Sequence, residues 1–244
     1  MKKILNYLWR AWFVLLTTVF TILLGVPVLL FSIKATHFRY AYFFIRLWAL
    51  ILLYGMGFRY ELIKQTDKKL DKNQQYIFIA NHTSIIDIMI MCALHPRHPI
   101  CFIGKAELAK IPIFGIIYRR ICILVDRKNP KSRANVYPRA AAKMRQGQNL
   151  VIFPEGGVPD DTSIVLDNFK DGAFKISVQH QFPIAVYTFL GLKEMFPFDN
   201  SKGYPGKITV VFNDILEPQS DMEAMKSNAY NQIKITLKKD CTSL

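Results

Sequence analysis

The feature that most restricts this chain is a run of 23 residues without a charged side chain, from Ala11 to Ile33. As an α-helix, such a run is about 34 Å long, which is enough to cross a hydrocarbon core of roughly 30 Å. A second run, from Tyr40 to Phe58, contains one charged residue, Arg46. The two runs predict an N-terminal helical hairpin, residues 1–58, that associates with a membrane. Arg46 and Pro27 leave open whether the hairpin spans the bilayer or lies in one leaflet.

Charge is distributed unevenly along the chain. The formal net charge is +14, and the first 60 residues contain seven Lys or Arg side chains and no Asp or Glu. A segment that is both apolar and basic favours an anionic membrane surface. No zinc-finger or RNA-recognition signature is present, so nucleic acid is not expected as a partner. Two membrane crossings would return the chain to its starting side, which predicts a cytoplasmic membrane location with the catalytic part on the cytosolic face.

From Arg59 onward, short apolar runs alternate with amphipathic stretches. The apolar runs predict strands at 59–63, 75–80, 100–103, 121–125, 149–153, 183–189 and 207–212. The amphipathic stretches predict helices at 84–94, 112–120, 131–146, 169–180 and 221–238. This alternation predicts an α/β domain over residues 59–244, with a mixed, largely parallel sheet flanked by helices and preceded by the membrane-associated hairpin. The four cysteines show no C-x-x-C spacing, so neither a disulfide framework nor a metal site is expected.

Polar residues come directly after one of these strands. The stretch NHTSIID, residues 81–87, follows the apolar run YIFIA. In largely parallel sheets, sites collect beyond the carboxyl ends of strands. Two interpretations of the stretch are open. In one, Ser84 is an N-cap, Asp87 accepts backbone N–H bonds in the first helical turn, and His82 is an ordinary turn residue. In the other, Asp87 holds one imidazole nitrogen of His82, so that the second nitrogen can take a proton from a substrate hydroxyl. The other four histidines lack this context and are predicted to lie at the surface or at an interface.

Four blocks in this order resemble the glycerolipid acyltransferase family. The first, N-H-x4-D, is matched by Asn81, His82 and Asp87. The second, K-x-E-L-x3-P-x2-G with a downstream D-R, is matched by Lys105, Glu107, Leu108, Pro112, Gly115, Asp126 and Arg127. The third, F-P-E-G-T-R, is matched in part by Phe153, Pro154, Glu155 and Gly156, and the fourth is similar to PIA at 183–185. The stretch FKDGA at 169–173 is also similar to a family segment, and the resemblance covers about residues 75–190.

The resemblance implies a membrane-bound O-acyltransferase that transfers a fatty acyl group from a thioester to the free hydroxyl of 1-acyl-glycerol-3-phosphate. The product is phosphatidate, for phospholipid biosynthesis. His82 would be the general base and Asp87 the residue that orients it. No G-x-S-x-G motif is present, and the activated thioester makes an acyl-enzyme unnecessary. The expected partners are membrane lipids, a lysolipid acceptor and an acyl donor, either acyl-CoA or acyl carrier protein, with no resident cofactor.

The chain departs from the third block at Gly157 and Val158, which stand where the family has Thr-Arg. In the family, that arginine binds the phosphate of the acceptor. One resolution is that Arg127 binds the phosphate, assisted by Lys105. Further candidates to assist are Arg119, Arg120 and Arg133, and the adjacent glycines 156 and 157 would let backbone amides approach the anion. The other resolution is an acceptor without this phosphate, such as a lyso-aminolipid.

Two further alternatives concern Glu155 and the enzyme class. The resemblance places Glu155 in the acceptor site, whereas its alternative role is that of a turn carboxylate that accepts local N–H bonds. A non-catalytic membrane protein that binds lipid is the competing class of function. It predicts loss of the base or its partner, and both His82 and Asp87 are present.

Overall fold

The computed structural model of the protein describes residues 2–159 and 163–241. The longer helices are α1 (Lys2–Phe31), α2 (Phe38–Gly55), α3 (Ile86–Leu94), α4 (Phe114–Ile121), α6 (Val136–Arg145), α7 (Gly172–His180) and α9 (Met222–Cys241), and the short ones are α5 (Pro130–Ala134) and α8 (Leu192–Met195). The strands are β1 (Arg59–Lys64), β2 (Ile77–Ile79), β3 (Ile100–Lys105), β4 (Ile123–Val125), β5 (Asn149–Ile152), β6 (Ile184–Leu190) and β7 (Lys207–Leu216). The 3-10 turns Ala35–His37 and Ala106–Lys110 precede α2 and α4.

The strands belong to a mixed, largely parallel sheet of seven strands. Strands β1, β7, β6 and β2 are neighbours in that order, and so are β5, β3 and β4. Within these two groups, β6 and β7 pair antiparallel, and the other pairs are parallel. Each predicted strand overlaps an observed one, and the predicted fold class is confirmed.

Two compact units make up the chain. The first contains Met1–Gly57 and Ile88–Val151, and the second contains Phe58–Asp87 and Ile152–Leu244. The first unit holds the N-terminal helices together with β3, β4 and α4–α6. The second holds β1, β2, β6 and β7 with α7–α9. The division expected from sequence, an anchor at 1–58 and a catalytic domain at 59–244, stays a prediction.

The N-terminal hairpin predicted from the two apolar runs is present, and tryptophan side chains tie its helices together. Trp9 and Trp12 of α1 donate their indole N–H groups to the carbonyl oxygens of Met56 and Gly55, at 3.2 and 3.0 Å. Trp48 of α2 donates to the hydroxyl of Thr21 at 3.1 Å. Both helices are long and apolar enough to cross a membrane. Large apolar side chains of α1 point outward along its length, among them Ile4, Leu8, Leu15, Leu23 and Leu30.

Helix α2 contributes to the core of the first unit. Ala41, Ala49, Leu52 and Leu53 are fully buried, and the Tyr42 hydroxyl donates to the carbonyl oxygen of His95 at 3.0 Å. The surface location predicted for two of the histidines is wrong, because His95 and His98 are both buried in this unit. Burial lowers the pKa of His95 to about 3, so the ring is neutral.

Candidate active site

The site begins at Asn81, which fixes the point at which the chain leaves the sheet. The last backbone pair of β2 and β6 is Ile79 with Val186. Beyond it, the fully buried amide of Asn81 donates to the Phe189 carbonyl oxygen at 3.0 Å and accepts the Phe189 N–H at 2.8 Å. Asn81 therefore continues the strand pairing with its side chain and positions His82 just beyond the carboxyl end of β2. Sequence alone does not indicate this role, although the residue is part of the N-H-x4-D block.

His82 and Asp87 form the contact on which the sequence hypothesis depends. Nδ1 of His82 lies 2.8 Å from Oδ2 of Asp87, whose side chain is completely buried. The same oxygen accepts the backbone N–H groups of Thr83 and Ser84, at 2.7 and 3.1 Å. Asp87 is in the first turn of α3, where the helix dipole favours a carboxylate. The backbone bonds to Asp87 match the first interpretation and the imidazole contact matches the second, so one oxygen receives both the helix-capping N–H bonds and the ring of His82. The role of His82 as a base stays a prediction.

The contact also determines which nitrogen of His82 is available for chemistry. A carboxylate accepts and does not donate, so in the neutral imidazole the Nδ1 atom carries the proton and Nε2 keeps its lone pair. The ring of Phe153 stacks on the imidazole, with 4.2 Å between centroids and 13° between planes. The His82 side chain retains 18% of its exposure. The ring is thus held on one edge and one face, and part of the side chain remains accessible. Sequence alone indicates no role for Phe153 beyond its place in the third block.

Glu155 supports the backbone of the same loop. Its Oε1 accepts the backbone N–H of His82 at 2.6 Å, and its Oε2 accepts the N–H of Asp167 at 2.9 Å. Glu155 is 3% exposed, and this burial raises its pKa to about 7, although the two N–H bonds act in the opposite direction. With both oxygens engaged by backbone, Glu155 has the geometry of the turn carboxylate that was its alternative role. Its predicted role in acceptor binding stays a prediction.

The turn after Glu155 favours a glycine because of its backbone conformation. Gly156 has φ of +79°, a region that other residues rarely adopt. A Cβ atom there would also lie only 2.6 Å from Nζ of Lys170, whose side chain crosses the turn. The backbone N–H of Lys170 donates to the Pro154 carbonyl oxygen at 2.9 Å, and that of Gly156 donates to Phe153 at 3.0 Å. The N–H of Gly156 is therefore committed to the turn, and an ammonium group that the sequence did not assign to the site lies over it.

The two predicted phosphate-binding cations, Lys105 and Arg127, belong to the first unit. Lys105 ends β3 opposite Val125, the last residue of β4, and Arg127 follows two positions later. Both therefore stand beyond the carboxyl ends of adjacent parallel strands. Arg127 is half-buried, which lowers its pKa, while the electrostatic effects of Tyr118 and Glu107 oppose this change. The structure thus brings His82, Asp87 and Glu155 together by direct contacts. It also places Lys105 and Arg127 at and just beyond the carboxyl ends of β3 and β4.

Comparison with known proteins agrees with the family resemblance found in the sequence. Residues 61–189 match the family model described as Acyltransferase. The chain is 29% identical over 182 residues to a probable 1-acyl-sn-glycerol-3-phosphate acyltransferase of Mycoplasma pneumoniae, covering 68% of this chain and 67% of that protein. It is 32% identical over 91 residues to a lyso-ornithine lipid O-acyltransferase of Pseudomonas aeruginosa, covering 37% and 34%. The crystal structure of the 1-acyl-sn-glycerophosphate acyltransferase from Thermotoga maritima superposes with a TM-score of 0.78 at 21% identity, covering 98% of this chain and 97% of that one.

Proposed function

Because the chain belongs to the acyltransferase family, we propose that it acylates the free hydroxyl of 1-acyl-glycerol-3-phosphate with a fatty acyl group from a thioester, at a membrane surface. The observation that carries the proposal is the 2.8 Å contact between His82 Nδ1 and Asp87 Oδ2. In the neutral imidazole, this contact leaves Nε2 unprotonated on a ring whose orientation is fixed. That is the state required of a general base.

The reaction follows from this geometry. Nε2 of His82 takes the proton of the acceptor hydroxyl as its oxygen attacks the carbonyl carbon of the thioester. The tetrahedral intermediate then collapses with cleavage of the C–S bond, and the imidazolium returns the proton to the departing thiolate. The products are an ester and a free thiol, and His82 is neutral again. Between the two transfers Asp87 stabilises the imidazolium, and such a base typically accelerates a reaction by about 10²- to 10⁴-fold.

Lys170 supports a phosphate-bearing acceptor. Val158 removes the arginine that the family pattern has in the turn after Glu155. The ammonium of Lys170 lies over Gly156 in the same turn. A cation from another segment of the second unit thus lies over the turn that lacks the family arginine. An ammonium is an effective phosphate partner, although it lacks the bidentate geometry of a guanidinium. Arg127 and Lys105 are the further candidates for this role.

An acceptor without that phosphate is the second candidate. The loss of the family arginine at Val158 favours it, and so does the similarity to a lyso-ornithine lipid O-acyltransferase. The chemistry at His82 would be unchanged, because such a lysolipid also presents a free hydroxyl. The two candidates therefore differ in acceptor recognition and share the base.

The apolar hairpin supports action at a membrane. Pulling a sixteen-carbon chain wholly into water costs on the order of 12 kcal/mol at about 0.8 kcal/mol per methylene. An enzyme held at the bilayer surface avoids this cost, because the lysolipid tail stays in the membrane while the hydroxyl reacts. We place the catalytic part on the cytosolic face, where acyl-CoA and acyl carrier protein are both acidic donors that basic residues would attract.

An assay of the purified full-length protein on three acceptors tests the proposal. The acceptors are 1-acyl-glycerol-3-phosphate, the matching 1-monoacylglycerol without phosphate, and a lyso-ornithine lipid, each with acyl-CoA and with acyl carrier protein. Diacyl product is measured by mass spectrometry, with His82→Ala as the control. We expect phosphatidate as the preferred product with at least one donor. Product from the lyso-ornithine lipid alone would establish the second candidate, and no product from any acceptor would contradict the enzyme class.

A further inference from the structure

We propose that a groove between α1 and α4 of the first unit binds one anionic phospholipid of the bilayer, with a fatty chain along α1 and the phosphate on Arg119 and Arg120. We assign Arg119 and Arg120, which were also candidates to assist at the acceptor phosphate, to a bilayer lipid instead, and neither His82 nor Asp87 lines the groove. The groove would hold the protein on anionic membranes whether or not acyl transfer occurs.

The groove exists because α4 packs closely against the C-terminal half of α1. A side chain at Gly25 of α1 would overlap the Cδ1 atom of Ile117, which is buried in α4. Close contact at this point sets the spacing of the two helices. Beside it lies a groove of about 650 Å³. Ligand sites commonly measure roughly 300 to 1,000 Å³, so the groove can take a fatty chain together with part of a headgroup.

One wall of the groove is entirely apolar. It is formed by residues in and just after the last turns of α1, namely Val26, Leu29, Leu30 and Ile33. The stretch from Val26 to Ile33 would extend about 10 Å as a helix, which matches a segment of fatty chain. Leu30 and Ile33 are 61% and 64% exposed, and lipid would remove this surface from water.

The other wall places two guanidinium groups beside an apolar side chain. Ile116, Arg119 and Arg120 are spaced i, i+3 and i+4 on α4, so they share one face of that helix. Nη1 of Arg119 donates to the carbonyl oxygen of Ala109 at 2.6 Å, which fixes the guanidinium and leaves its other N–H groups for an anion. Guanidinium groups bind phosphate in bidentate fashion. None of the seven lining residues is acidic.

The turn before α4 extends the apolar surface. Ile113 has φ of +62° and ψ of −62°, and the N–H of Phe114 donates to the Pro112 carbonyl oxygen across it at 2.6 Å. This is a strained turn for a β-branched residue. It presents Ile113 to the outside at 50% exposure, next to the exposed Ile111. Apolar side chains thus continue from the groove onto the surrounding surface, as expected where a protein faces a bilayer.

Charge selects an anionic lipid over a neutral one. The two arginines lie beside a hairpin, residues 1–58, that contains six basic and no acidic side chains. A basic residue near a membrane surface contributes roughly a fivefold gain in affinity for anionic lipid, so two contribute about 30-fold.

Binding of phosphatidylglycerol to the full-length, detergent-purified protein tests the proposal. Native mass spectrometry, with phosphatidylcholine as the neutral comparison, gives the dissociation constant of one bound lipid. Arg119→Gln with Arg120→Gln should weaken phosphatidylglycerol binding about 30-fold. Arg120→Gln alone, which keeps the Arg119 contact with Ala109, should weaken it about fivefold. The matched control is Arg97→Gln with Arg145→Gln, which removes two exposed charges of the same unit outside the groove, and it should leave binding unchanged.

Three results would overturn the proposal. Equal losses in the groove variant and the control would show diffuse attraction to surface charge. Unchanged binding in both would show that the arginines do not contact the lipid. An excess of inorganic phosphate should displace little phosphatidylglycerol, because the fatty chain contributes to affinity, and complete displacement would show that the groove binds the anion alone.

Discussion

The most discriminating substitution is Asp87→Asn, because the structure determines how the new amide must sit. The backbone N–H groups of Thr83 and Ser84 point at the oxygen that also contacts His82 Nδ1. They can only donate, so the amide oxygen of the introduced asparagine must occupy this position and its NH₂ group the other. Nδ1 of His82 then still donates, and the tautomer is retained. The variant therefore removes the negative charge and little else from the proposed mechanism.

The size of the effect follows from the imidazolium that forms during proton transfer. Two unit charges 4 Å apart interact by about 4 kcal/mol at an effective dielectric constant of 20. Replacing a charge-assisted hydrogen bond by a neutral one costs about 1 to 2 kcal/mol. These two figures correspond to about 10³-fold and to about 5- to 30-fold in rate, and we expect a fall in kcat between them, by about 10²-fold. A wrong tautomer would cost far more, about 10⁴-fold in the comparable substitution of a serine-protease triad.

Release of free thiol from the acyl donor, at saturating lysophosphatidate, measures this change. The matched control is Asp71→Asn, which removes another carboxylate that accepts a backbone N–H, in the loop before β2, and should leave kcat unchanged. A wild-type kcat in Asp87→Asn would refute stabilisation of the imidazolium by Asp87. A loss near 10⁴-fold would refute the argument that the backbone donors hold the tautomer.

Four further substitutions test the roles assigned to Glu155, Lys170, Val158 and Arg127. In the folded protein the pKa of Glu155 is about 7, against 4.5 when unperturbed, so between these pH values the folded state holds a proton that the unfolded chain has released. The stability contributed by this group therefore falls as pH rises, by about 3 kcal/mol over the window. Denaturant unfolding at pH 5 and pH 8 should show this change in wild type relative to Glu155→Gln, and a pH-independent difference would contradict it. Lys170→Met should raise the KM for lysophosphatidate about tenfold and change the KM for 1-monoacylglycerol little. Adding Val158→Arg to this variant should restore the KM for lysophosphatidate. The same increase for both acceptors would exclude phosphate binding by Lys170. Arg127→Ala should also raise KM for lysophosphatidate, and an unchanged KM would favour the acceptor without phosphate.

The strands could be predicted because their signal is local. Short runs rich in strand-forming residues overlap all seven, although β1 contains no buried residue. Errors arose where tertiary contacts extended a pattern or where a proline divided one. Strand β7 continues through Asn213, a polar residue that ends a simple apolar run. Asn213 is buried and bonded to the hydroxyls of Thr188 and Thr236, at 2.7 and 2.8 Å. Nothing near Asn213 in sequence indicates these partners.

One predicted helix, 131–146, is divided in the structure into α5 and α6. The division lies at Asn135, three residues before Pro138. Proline has no N–H to donate, and its ring conflicts with the carbonyl group four residues earlier, here that of Ala134. The proline was visible in the sequence, so this break could have been predicted.

The candidate site likewise combines contacts that the sequence could predict with contacts that it could not. His82 and Asp87 lie five residues apart, so turn chemistry and the family resemblance sufficed to pair them. Glu155 contacts the backbone of His82 across 73 residues of sequence. Phe153 and Lys170 likewise reach the site through the fold, and local patterns give no indication of where their side chains end.

Turnover of His82→Ala tests the central claim most directly. The purified variant and the wild type are compared by thiol release with the same acceptor and donor, after circular dichroism establishes that the variant is folded. We predict a loss of at least about 10²-fold, because no other group described at the site is placed to take the proton from the acceptor hydroxyl. A folded His82→Ala protein with wild-type turnover would contradict the assignment of His82 as the base, and with it the proposed mechanism.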